Sequence, residues 1–241
     1  MVEAATEGVT VMNDSGGDLE LAKQVLKGVQ MIDADADDGS LLYLKTEILD
    51  LANKVHTNSK DHGWWEGKVD TKSTTSGLVQ LILAPVDYEE KMVLIASEVA
   101  EAFEEYRKPD IGITQVYYKD KKPEGFPIEM ADAFIRVLDL MGALTSSGIN
   151  GWDFSGYDSD KPLIRIRTLG PDVGGHCFQV LRTIVACYDL DLEVLNHKFL
   201  PYVLMSIEQA CLDLNVDLVE AVTLKTAYNS TRPYRHGGLR A

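Results

Sequence analysis

The sequence predicts an all-α fold, a bundle of helices, and three observations lead there. Apolar residues recur at helical spacing through most of the chain. The strand-type alternation expected of βαβ units is missing. Stretches rich in Gly, Pro, Ser and Asp fall between the periodic segments, where a bundle keeps its connections. The chain has 241 residues, 45% of them hydrophobic. That is enough for one large domain or two small ones, with a sizeable core.

Residues 1–17 are small, polar and acidic and predict a mobile tail. Residues 18–32 carry a short amphipathic pattern, and residues 1–39 together form an acidic N-terminal segment ahead of the main domain, 40–241. The run Asp33–Gly39 resembles a calcium loop only at first glance. Its glycine is one position late and Leu44 stands where a closing Glu is required. It reads as a solvated linker.

Leu41, Leu44, Ile48, Leu51 and Val55 give a helix over 40–57 with Ser40 as cap. A loop follows through 70–77, and 78–83 is a short apolar run of ambiguous type. The strongest helix is 87–107, with Asp87 as cap and a stripe of Met92, Ile95, Val99, Phe103 and Tyr106. Lys108-Pro109 ends it. Residues 108–127 read as a loop, and Pro127 suits the entry to a helix over 128–144. Residues 145–175 are irregular, with one strand-like piece at 163–168. Two helical patterns follow at 176–195 and 197–214. Asp217 caps a closing helix over 217–231, and the tail after it is basic.

The formal net charge is −15, which opposes nucleic-acid binding through phosphate neutralisation. A phosphate-bearing substrate stays open, because divalent metal can bridge acidic side chains and phosphate. Cys177, Cys187 and Cys211 show no metal-ligand spacing and read as reduced core thiols. No apolar run reaches the roughly 18 residues of a membrane span, and no signal core opens the chain. The expected location is cytoplasmic, with no membrane partner.

The chemistry is carried by acids. Glu98 and Glu101 lie three apart on one helix, with Glu105 seven from Glu98. Glu129 and Asp132 repeat the spacing on the next, with Asp139 seven beyond Asp132. Two antiparallel helices can gather four to six of these carboxylates, and their mutual repulsion is relieved by a hard divalent cation. A single Glu-x-x-Glu is usually a solvated helix face. Two such pairs on consecutive helices, flanked by Ala96, Ala100, Ala102, Ala131 and Ala133, point to a metal site that close helix approach can build.

Glu98-x-x-Glu101, a gap of 27 residues, and Glu129-x-x-Asp132 resemble the signature of the MazG-like family of all-α nucleoside triphosphate pyrophosphohydrolases, phage and bacterial members in particular. The segments 51–67, 94–107, 123–140 and 217–238 are similar to that family as well, in its order. The resemblance covers roughly half the chain. Three departures stand out: Ser97 where many members have Glu, extra length at 68–86, and an insertion at about 145–215. The insertion adds a lobe, alters the oligomer or shapes the pocket.

The resemblance implies Mg²⁺, with Mn²⁺ as a possible substitute, held by Glu98, Glu101, Glu129 and Asp132. It implies cleavage of a nucleoside triphosphate to monophosphate and pyrophosphate, and a homo-oligomer, dimer or tetramer. Water attacks the α-phosphorus in this expectation, with Glu98 or Glu101 taking its proton. The resemblance implies phosphate or nucleotide contacts for Lys225 and Asn229, often at a neighbouring subunit's site. Arg232 shares their helix face or its end, and its forked guanidinium also suits a polyphosphate. Trp64 and Trp65 follow His62-Gly63. A base-stacking role and a core-anchor role stand equally open for them. His56, Asn58 and Lys60 are weaker candidates. The rival readings are a non-catalytic helical nucleotide-binding or oligomerisation module, and a relative cleaving another pyrophosphate bond.

Overall fold

The computed structural model describes residues 38–65, 88–149, 166–167 and 169–234. The expected patterns at 18–32 and 78–83, the Asp87 cap and most of the 163–168 piece lie outside them. Among the described residues the protein is all-α apart from one small hairpin. Helix α1 spans Asp38–Asp61 and α2 spans Tyr88–Tyr106. The antiparallel hairpin pairs β1 (Tyr117–Lys119) with β2 (Lys122–Glu124), and α3 spans Phe126–Ser146. Then come α4 (Val173–Val185), α5 (Leu192–Val194), a π-helical turn (Leu195–Phe199), α6 (Leu200–Asp213) and α7 (Leu218–Asn229).

Helix α3 is the axis of the fold. It packs on α1, α2, α6 and α7, so it is apolar nearly all round, as a central helix must be. Ile128, Met130, Ala131, Ala133, Val137, Leu138, Leu140 and Met141 are all fully buried. On α2 the buried line runs through Met92, Ile95, Glu98, Val99, Ala102 and Glu105. The expected stripe holds at Met92, Ile95 and Val99, but Phe103 is only half-buried and Tyr106 is 45% exposed. The buried face runs on through Ala102 and Glu105 instead.

Helix α1 approaches α3 closely at Gly142. A Cβ there would stand 2.5 Å from the Ala52 carbonyl oxygen and 2.7 Å from the His56 Cβ. Backbone cannot yield as a flexible side chain would, so Gly142→Ala must push two helices apart. We expect a loss of roughly 2–3 kcal/mol from overpacking, read as a lower midpoint in urea unfolding.

Helix α1 starts two residues ahead of the expected Ser40 cap and ends four residues later than expected. The hairpin inside 108–127 was not expected from the sequence. Its strands have three residues each, and its turn holds Asp120 and Lys121 at positive φ, so no alternating run announced it. Of the caps, Asp217 does take the amide of Glu220 at 2.9 Å. Asp172 does the same for α4 through Gly175.

The region 145–215 extends the core and does not form a separate lobe among the described residues: α4 packs on α2, and α6 packs on both α3 and α4. Its π-turn has a local cause. Pro201 has no N–H to give the carbonyl four residues back, and its ring crowds that carbonyl. Asn196, fully buried in the turn, donates to the Ile149 carbonyl at 2.9 Å and ties it to the end of α3. Cys177, Cys187 and Cys211 are free and buried. Burial pushes the Cys177 thiol up to about 11 and the Cys187 thiol up to about 12, so these are packing thiols, not nucleophiles. No helix among the described residues is long and apolar enough to cross a membrane.

Candidate metal centre

The site begins with the entry to α3. Gly125 has φ +120°, and a Cβ there would meet the Gln115 carbonyl oxygen at 2.5 Å. Only glycine turns the chain this tightly out of the hairpin. Pro127 then sits in the first turn, where its missing N–H costs nothing. The turn puts Glu129 at the positive end of the α3 dipole, which favours a carboxylate. Asp132 and Arg136 follow at three- and four-residue steps on the same face.

Opposite stands Glu98 of α2. Oxygens of Glu98, Glu129 and Asp132 all lie within 4.8 Å of one another. Glu98 and Glu129 are buried and Asp132 is half-buried. Burial first, then the neighbouring charges of Asp132 and Glu98, push the Glu129 carboxyl up to about 8, against the pull of Lys225 and Lys122. Burial also raises Asp132 above the usual carboxylate range, while Lys225 opposes it. Three hard oxygen donors in one small space, with an acid this reluctant to ionise alone, fit a divalent cation.

Two cations already serve the cluster. Arg136 Nε donates to Glu98 Oε1 at 2.6 Å. Lys225, buried to 1% exposure, extends its ammonium from α7 to an ion pair with Asp132 Oδ2. Two more stand near. Arg232 is half-buried; burial lowers its pKa, while Tyr228, Asp132 and Glu98 favour its charge. On β2, Lys122 bonds Glu124 at 3.0 Å. Burial works against the Lys122 charge, but Glu124, Glu129 and Asp132 outweigh it and raise its pKa.

Three of the four expected acids therefore meet, and Glu101 does not join them: its side chain is exposed. The reason is helical phase. A three-residue step falls about 60° short of a full turn, and the buried face of α2 runs through Glu98, Ala102 and Glu105 instead. Glu105 and Asp139 are engaged elsewhere. Glu105 accepts from Lys108 Nζ at 2.5 Å and Tyr117 Oη at 3.0 Å. Asp139 accepts from Ser59 Oγ at 2.8 Å and from Trp65 Nε1 at 2.9 and 3.1 Å, and its Oδ1 lies 2.9 Å from His56 Nδ1.

That Asp139 hub decides Trp65. Trp65 is 4% exposed, with the Lys91 ammonium 4.3 Å from its ring centroid and His56 edge-on at 5.0 Å. It anchors the end of α1 and offers no open face to a base. Trp64 is half-buried against the core. His56 is a buried polar group of the same hub, while Lys60 is exposed and Asn58 half-buried. Asn229 lies one turn beyond Lys225, and its Oδ1 is buried without a hydrogen-bond partner.

Sequence reasoning missed Arg136 and Lys122. Arg136 carried a signal, since it is four residues from Asp132 and seven from Glu129 on one helix. Lys122 carried none, because it depends on the hairpin. Comparison with protein-family models, with curated proteins and with solved structures finds no match.

Proposed function

We propose that the protein is a divalent-metal-dependent pyrophosphohydrolase of nucleoside triphosphates, yielding a nucleoside monophosphate and pyrophosphate, with Mg²⁺ as the metal. The observation that carries this reading is the convergence of Glu98, Glu129 and Asp132 from two helices to within 4.8 Å. Its support from the sequence is the resemblance to the MazG-like family at the same residues.

Glu98, Glu129 and Asp132 would hold the ion. When bound, the metal lowers the pKa of water and offsets charge on phosphorus. The chain's own residues do the rest. Lys225 and Arg232 approach from α7 and its end, and Lys122 from the hairpin, so cations surround the acids on more than one side and can bind and orient a polyphosphate. Arg136 orients Glu98 through its Nε hydrogen bond. Glu98 is better placed than Glu101 to take a proton from water, because it belongs to the cluster and Glu101 does not.

One observation favours a second reading, a non-catalytic helical module. Arg136 and Lys225 already pair two of the three acids, so the cluster can serve as a buried ion network that fixes the helices. Pyrophosphate release separates the two. We expect release from at least one of the eight common NTPs and dNTPs with Mg²⁺, and its loss with EDTA. Absence of release from all eight, with Mg²⁺ or Mn²⁺, would leave the second reading standing.

A further inference from the structure

We propose that Lys225 is an exchangeable counter-ion, which occupies the cation's place beside Asp132 and moves to the Asn229 side-chain oxygen when a divalent ion enters. The inference rests on the metal-site reading above and adds a device to it. A lysine is almost never fully buried unless its ammonium is paired. Lys225 is 1% exposed, and its partner Asp132 belongs to the three-carboxylate group. The ammonium also acts on Glu129, whose carboxyl it favours in the charged form. Lys225 thus acts on both acids that Arg136 leaves over, and it is the cation that pairs directly with Asp132.

A divalent ion and an ammonium cannot share that space. At about 4 Å their repulsion exceeds thermal energy several-fold even at a surface-like dielectric. Either the ion is kept out or Lys225 withdraws. The structure holds a place for withdrawal. Asn229 follows Lys225 by four residues on α7, so the two side chains are neighbours on one helix face. Its Oδ1 is a buried acceptor with no donor, a state that costs free energy unless a partner arrives. Lys225 has a flexible four-carbon stem and three donors. Turned toward Asn229 it satisfies that oxygen and stays on the α7 side, beside Arg232, where a polyphosphate would meet both.

The test uses the metal-free full chain and Mn²⁺ as probe, without nucleotide, with free ion read by its EPR signal. Lys225→Met should bind Mn²⁺ about tenfold more tightly than the parent, because the competing charge is gone. Lys225→Arg should bind no more tightly. Asn229→Ala should weaken binding when Lys225 is present and have no effect in the Lys225→Met background. A Lys225→Met protein that binds Mn²⁺ no better than the parent overturns the exchange.

A crystal structure of the parent soaked in Mn²⁺ needs no variant to fold. Lys225 Nζ should lie within hydrogen-bonding distance of Asn229 Oδ1 there; an ammonium still on Asp132 beside a bound ion also overturns the proposal. If neither parent nor Lys225→Met binds Mn²⁺, the metal-site reading falls with it. If the parent binds the ion and hydrolyses nucleotide but Lys225→Met gains nothing, the exchange alone is wrong.

Discussion

On the proposed function, Asp132→Asn is expected to lower Mg²⁺-dependent pyrophosphate release by about a thousandfold or more, since it replaces one of the three carboxylates that would hold the ion by a neutral amide. It should also destabilise the protein by roughly 2–3 kcal/mol, because the buried Lys225 ammonium loses its partner. Two effects in one variant invite a simple misreading, that activity was lost because the fold loosened. The double variant Asp132→Asn/Lys225→Met separates them. With both charges gone, most of the stability should return, while hydrolysis should not. Urea unfolding and a pyrophosphate assay on the four proteins of this cycle give both readings. Recovery of activity along with stability in the double variant would show that Asp132 serves the fold and not the chemistry.

Glu208→Gln is expected to stabilise the protein above neutral pH. Glu208 sits within α6, 6% exposed, and its Oε1 has no hydrogen-bond partner. Burial pushes its carboxyl from the ordinary 4.5 up to about 8. Below about pH 4.5 folded and unfolded chains both hold the proton, so the group costs no charge burial. Between 4.5 and 8 the unfolded chain releases it and the folded chain keeps it. Stability is therefore lost as pH rises through that window and stays lower above it. At pH 7 the penalty is about 3 kcal/mol. Glutamine has no proton to lose, so the variant should melt roughly 6–12 °C higher at pH 7 and like the parent at pH 4. A pH-independent difference would mean that Glu208 is not charged by deprotonation in this range.

The helices were legible because they obey one rule, apolar residues returning every three or four positions. Met92, Ile95 and Val99 follow it and are buried, as are Ile48, Leu51 and Val55. Capping was legible where a side chain makes the cap itself, as Asp217 does. The site was partly legible. Spacing alone groups Glu98 with Glu101 equally well as with Ala102. Which of them turns inward is set by where α3 lies, and that is a tertiary fact. The same limit hid the engagement of Asp139 with His56, Ser59 and Trp65, partners more than 70 residues away in sequence. The hairpin that brings up Lys122 is too short for a period to show.

The ion pair between Lys225 and Asp132 has a consequence for how the protein is made. On the ribosome, Glu98, Glu129 and Asp132 emerge long before α7, so the acids exist for a time with Arg136 and Lys122 but without Lys225 to balance them. A nascent chain in that state resists closing α2 onto α3, since closure would crowd like charges out of water. Helix α7 would then act as a closing signal. Translation products that stop before Lys225 should stay loosely docked at this seam, and cellular proteases should find them first.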